Sequence, residues 1–87
     1  ITFNSEILNI DISKNDYDAF SEKLKNVSAK NKIEIELKSL NKQDEKFHIV
    51  YIVKNLYETD KAEILINELK KIDNLNFALS KDIHLPL

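Results

Sequence analysis

The sequence predicts an α+β fold in the order βαββαβ, a four-stranded antiparallel sheet with two helices on one of its faces. Three observations carry that expectation. Two segments repeat apolar residues at helical spacing, four others alternate them or concentrate β-branched and aromatic residues, and the six follow one another as strand, helix, strand, strand, helix, strand. With 87 residues the chain has the size of one domain spanning 1–87, since two ordinary cores would need roughly twice that length.

The first strand is read from Glu6, where Leu8, Ile10 and Ile12 alternate with Ile7, Asn9 and Asp11, the period-two pattern of a half-buried strand. Tyr17, Phe20, Leu24 and Val27 then fall on one helical stripe. Ser13 or Asn15 can cap that helix by accepting a backbone N–H, and Asp16 and Asp18 suit the positive end of its dipole. Lys32 to Leu40 reads as a strand with one wet face, Ile33, Ile35 and Leu37 opposite Glu34, Glu36 and Lys38. Such charges suit an edge position, where they discourage further strand pairing.

The polar segment Asn41–Lys46 is expected to connect this strand to F-H-I-V-Y-I-V, which is apolar on both faces and rich in β-branched and aromatic residues, as a central strand is. In the second helix Ala62, Leu65, Leu69 and Ile72 form a stripe widened by Ile66, and Asp60 and Glu63 have the spacing of a capping box. Asn76–Ser80 reads as the last strand, with Phe77 and Leu79 inward. Right-handed crossovers place the first and third strands in the middle of the sheet. That arrangement is the ferredoxin-like α+β sandwich.

Composition narrows the function. There are 13 basic and 15 acidic residues, a net charge of -2, and no concentration of one sign that would attract nucleic acid. No apolar run is long enough to cross a membrane, so the domain itself is expected not to insert in one. Absent cysteine excludes disulfides and thiolate sites, and absent glycine excludes glycine-rich phosphate loops. A chain that starts at Ile1 without an initiator methionine reads as a piece excised from a longer protein. Its abundance of Asn, Lys and Ile follows the coding bias of AT-rich genomes.

No motif for catalysis emerges, and the domain is expected not to be an enzyme. The serines have no nucleophile elbow around them. Glu34 and Glu36 share a solvated face that does not separate their proton affinities. His48 and His84 are the two histidines, and Asp82 with His84 falls short of the three or four ligands of a metal site, so no metal or other cofactor is expected. RNA recognition by exposed rings would need an aromatic residue on the first strand, which has none.

The third strand carries the most informative feature. If Phe47, Ile49, Tyr51 and Val53 face the helices, then His48, Val50 and Ile52 face outward on the bare side, joined by Ile7 and bordered by Glu34, Glu36 and Lys38. An apolar strip on an uncovered sheet face marks a candidate interface, with a second copy or with the rest of the parent protein as partner.

The order of elements, the run Y-I-V-K-N at Tyr51–Asn55 and the run I-D-N-L-N at Ile72–Asn76 resemble the ACT-like regulatory domains. They are also similar to the C-terminal domains appended to some bacterial multi-pass membrane proteins, the MgtC-like and related families. The likeness spans nearly the whole chain as pattern more than as identity. It implies a regulatory domain on the cytoplasmic side, tethered to a membrane protein. It also implies a small-molecule effector held near the end of the first strand by Asp11, Ser13, Asn15 and Asp16. ACT domains that bind amino acids carry Gly or Pro in that loop, whereas D-I-S-K-N-D has neither, which favours an interaction or assembly module over a ligand sensor.

Overall fold

The computed structural model describes residues 5–54 and 59–81. Ile1, Asn55, Asp82 and His84, named above, lie outside them. The elements are β1 (Glu6–Ser13), a single 3-10 turn (Lys14–Asp16), α1 (Tyr17–Asn31), β2 (Glu34–Gln43), β3 (Lys46–Lys54), α2 (Thr59–Lys70) and β4 (Asn76–Lys81). The strands form one sheet in the order β2-β3-β1-β4, and each neighbouring pair is antiparallel. Four antiparallel strands and two helices in this order make the α+β, ferredoxin-like arrangement that the sequence predicts.

Strand alternation decides where the core lies. Leu8, Ile10 and Ile12 of β1 and Phe47, Ile49, Tyr51 and Val53 of β3 are buried in one cluster with Phe20, Leu24 and Val27 of α1 and Leu65 and Leu69 of α2. The side chains between them in sequence, Ile7, Asn9, Asp11, His48, Val50 and Ile52, therefore share the opposite face. Edge strands contribute less. Ile35 and Leu40 of β2 and Phe77 and Leu79 of β4 are partly buried against the cluster. The rings of Tyr17 and Phe47 meet edge to face at 5.3 Å between centroids, a favoured geometry for aromatic pairs. Glu6 shares the covered side of β1 by its phase, and one of its carboxylate oxygens is buried without a hydrogen-bond partner among the described residues.

Local chemistry starts and stops α1. The Ser13 hydroxyl accepts from the Asn15 N–H at 3.3 Å, capping the 3-10 turn that leads into the helix. The Lys14 N–H donates to the Glu45 carbonyl at 2.8 Å, which ties this connection to the tip of the β2–β3 hairpin. At the other end Lys32 takes the left-handed conformation, φ 54° and ψ 43°, and its N–H returns to the Ser28 carbonyl. The Ile33 N–H reaches the same carbonyl at 3.0 Å, the Ser28 hydroxyl donates to the Ile33 carbonyl, and Ile33 is buried just beyond. A helix stop of this kind ordinarily uses glycine. This chain has none and places Lys32, Asp44 and Asn74 at positive φ.

The structure corrects the sequence reading at three places. β2 begins at Glu34 and continues through Gln43, so the polar residues Asn41, Lys42 and Gln43 belong to the strand and the hairpin turns on Asp44 and Glu45 alone. A register shift between Leu37 and Ser39 bulges β2 at Lys38. Leu37, expected to point into the core, is 52% exposed, because β2 is an edge strand whose covered side is only partly roofed. Asp60 lies inside the first turn of α2, which begins at Thr59.

Two outcomes follow from this architecture. Ile49→Ala, at a fully buried position of the central strand, should lose about 2–5 kcal/mol, read as a lower urea midpoint with an unchanged slope. Lys32→Gly should raise stability by up to about 1 kcal/mol, because it removes the steric cost of a left-handed lysine while giving back some chain entropy.

Candidate functional site: the open sheet face

The β1–β3 ladder brings the predicted interface residues together. Ile7 is the direct cross-strand partner of Ile52, Asn9 of Val50, and Asp11 of His48. Ile7, Val50, Ile52 and His48 are all half-buried. On the β4 side Ala78 stands opposite Asn9 and Ser80 opposite Ile7. On the β2 side Glu36 stands opposite Ile52 and Ser39 opposite Val50. The result is a small aliphatic centre within a polar and charged frame. The bulge at Lys38 keeps β2 in phase here, so that Glu34, Glu36, Ser39, Asn41 and Gln43 all belong to this face.

Two polar pairs mark its ends. His48 Nδ1 lies 2.6 Å from Asp11 Oδ1. A carboxylate can only accept, so Nδ1 carries the proton and Nε2 is left as the outward nitrogen. Among the described residues no hydroxyl bonds to this imidazole. The pair ties β1 to β3 across the ladder. At the other end Lys54 Nζ is 2.7 Å from Glu36 Oε2. This ammonium holds the Glu36 carboxyl below the usual glutamate range, through the hydrogen bond first and the charge second. Lys54 is raised in turn by Glu36 and, more weakly, by Glu34.

The residues of the predicted ligand loop run from the end of β1 through the 3-10 turn. Asp11 sits within β1 on the open face, paired to His48. Ser13 ends the strand and is occupied by the Asn15 N–H. Asp16 instead borders a depression of about 200 Å³ beside Ala19, Phe20, Lys23, Ile72 and Asp73, on the helix side of the sheet. Among the described residues there is no group of three or more His, Cys, Asp or Glu side chains placed to hold a metal ion.

Elsewhere, α1 and α2 enclose a polar groove of about 430 Å³ with Glu22, Lys23, Lys30 and Glu68 on its walls. There Lys71 lowers the Glu68 carboxyl through a 3.1 Å contact, with smaller help from Lys23 and Lys30. Tyr51, buried between sheet and α1, has its phenol pushed up to about 12 by desolvation first and Tyr17 second. The sequence reading missed the Asp11–His48 and Glu36–Lys54 pairs. Their shared face was readable from alternation, but the register of strands not joined by a turn was not.

With this geometry in hand, the chain can be set beside known proteins. No protein-family profile matches it, and no curated protein matches it either. Solved structures do. It is similar to the C-terminal domain of the MgtC protein from Mycobacterium tuberculosis, known from a solution structure. That likeness has a TM-score of 0.58 and 10% identity, and covers 91% of this chain and 89% of that one. The fold is ferredoxin-like. It is also similar to the de novo designed protein Ferredog-Diesel, with a TM-score of 0.52 and 15% identity over 90% of this chain and 87% of that one. At such identities the likeness establishes architecture alone, and at that level it meets the MgtC-like resemblance seen in the sequence. Among the described residues no helix is long and apolar enough to cross a membrane.

The Glu36–Lys54 pair gives a test of the face's electrostatics. In an NMR titration Glu36 should protonate below the ordinary glutamate range, and Lys54→Met should return it upward. The sign follows from linkage. A depressed carboxyl contributes stability above its unfolded value and loses it as pH falls through the folded one. Both groups are exposed, so 1 M salt, with a Debye length of about 3 Å, should erase most of the difference.

Proposed function

We propose that this domain is a non-catalytic regulatory or interaction module of a larger bacterial membrane protein, held on its cytoplasmic side. It associates through the open sheet face with a second copy or with its parent. The observation that carries the reading is the registered cluster of Ile7, Ile52 and Val50 on the face that neither helix covers. An aliphatic centre inside a polar frame is the anatomy of a protein-protein contact. The clamp between Asp11 and His48 and the ion pair between Glu36 and Lys54 keep that frame ordered.

The fold likeness to the C-terminal domain of MgtC supports the appended arrangement. The ACT-type sensor is the weaker reading. Asp11 lies on the open face and Asp16 beside a depression on the helix side, and the Ser13 hydroxyl and Lys14 N–H are already bonded within the chain. A thermal-shift panel of amino acids should therefore stay flat. A ligand at a hundred times its dissociation constant would add about 2.7 kcal/mol, so a clear rise in melting temperature would restore the sensor reading.

Light scattering over a concentration series tests self-association directly. The wild-type domain should gain mass with concentration, and Val50→Glu should weaken the association at least about tenfold by placing a charge in the aliphatic centre. A strict monomer whose behaviour does not respond to Val50→Glu would leave the parent chain as the partner and remove the homodimer.

A further inference from the structure

The pair of Asp11 and His48 stands on the same face as the aliphatic cluster, beside the cross-strand partners Asn9 and Val50. The imidazole Nδ1 is 2.6 Å from Asp11 Oδ1, with the two side chains 40% and 55% exposed. The register names every group that faces the ring. On β1 Asp11 stands opposite, between Asn9 and Ser13 on that face. On β2 the opposite residue is Asn41, between Ser39 and Gln43, and none of the three carries a charge. Beyond Asp11 the β4 residue is Asn76. On β3 itself Lys46 is two positions back, about 7 Å along the strand. Asp11 is therefore the anion in contact with the ring, and Lys46 is the nearest cation among these groups.

The face as a whole is close to charge balance. Its ladder positions hold the carboxylates of Asp11, Glu34 and Glu36 and the ammonium groups of Lys46 and Lys54. With His48 neutral these leave one net negative charge, and with His48 protonated they leave none. A face that carries both signs around an apolar centre suits a second copy of itself, as an isologous contact requires.

We propose that protonation of His48 strengthens association of two copies through this face, so that the contact responds to pH. This switch rests on the association proposed above, with a second copy of the chain as the partner. Closing the face takes water away from Asp11 and His48. With the ring neutral, the Asp11 carboxylate keeps its hydrogen bond but has no counter-charge on the ring, and burying such a charge is costly. Protonation at the outward Nε2 turns the pair into an imidazolium and a carboxylate of no net charge. It also cancels the residual charge by which two copies repel. Lys46 weighs against the imidazolium, but it stands a strand step away while Asp11 is in hydrogen-bond contact. Imidazole is the side chain that changes charge between about pH 5 and 8. The associated form thus binds more protons than the free one, and association tightens as pH falls through the histidine titration and loosens as it rises.

The test is light scattering over a concentration series at about pH 5.5 and about pH 8, at one low ionic strength so that surface charges are not screened. The wild-type dissociation constant should rise at least about tenfold from the lower pH to the higher. His48→Gln should abolish the response and hold the domain near its high-pH affinity, whereas His84→Gln, at the chain's other histidine, should leave it intact. Asp11→Asn should reverse the sign, because the neutral ring is then the uncharged form of the pair and protonation adds an uncompensated charge. Val50→Glu should weaken association at both pH values, which separates this contact from the general self-attraction of a chain near its isoelectric point. Asp11 and His48 are both substantially exposed, and an amide spectrum unchanged away from the pair verifies the fold of each variant. Equal association at the two pH values, a response that survives His48→Gln, or an unreversed sign in Asp11→Asn would overturn the switch and leave the association standing. A monomeric mass at both pH values throughout the series, or association indifferent to Val50→Glu, would overturn the association and the switch with it.

Discussion

The antiparallel ladder between β1 and β3 is the constraint on which the other parts depend. Its eight residue pairs run from Glu6 with Val53 to Ser13 with Lys46, and they set three things together. They stack Leu8, Ile10 and Ile12 beside Tyr51, Ile49 and Phe47 as the floor of the core. They put Ile7 against Ile52, and Asp11 against His48, on the reverse. They also bring the exit of β1 level with the hairpin tip, where the Lys14 N–H finds the Glu45 carbonyl. A slip of one residue would turn all of this over, carrying isoleucines to water and an aspartate under the helices. Burial of the central strand side chains makes such a slip costly, and the register is held without a turn joining these two strands.

The helices close one side and have little choice about where they go. Phe20, Leu24 and Val27 present a single stripe, and Leu65 and Leu69 another. Both stripes are satisfied by the same sheet face, and among the described residues no apolar helix surface of comparable size remains to roof the other. The bare face therefore follows from having two crossover helices on one side. Its apolar content is modest, confined to Ile7, Val50 and Ile52.

Much of this was legible in the amino acids. The helical stripes, the alternation in β1, the two-sided apolarity of β3 and the charges of β2 together predict the element order and the central and edge positions. They also predict that Ile7, His48, Val50 and Ile52 share a face, and the register places them there. What escaped has physical causes. The hairpin turn was hidden because its left-handed position is filled by Asp44 without the glycine that signals a two-residue turn, and polar residues flanking it read as loop. The bulge at Lys38 was hidden because a bulge changes the phase of alternation without leaving a composition mark. Leu37 was assigned inward by alternation alone, which does not know how far a helix reaches over an edge. The pairing of Asp11 with His48 was hidden because the two lie 37 positions apart in the chain.

The separation of the two sheet faces by strand alternation also governs how such a domain can change over generations. On β1 and β3, neighbouring positions answer to different demands. Even-numbered β1 residues and odd-numbered β3 residues are held by packing, while their neighbours on the open face are not under that demand. Val50, Asn9 or Ala78 can be exchanged while the folding core stays as it was. Sequences that differ at most positions can thus share one architecture, as this chain does with a natural domain at 10% identity and a designed protein at 15%.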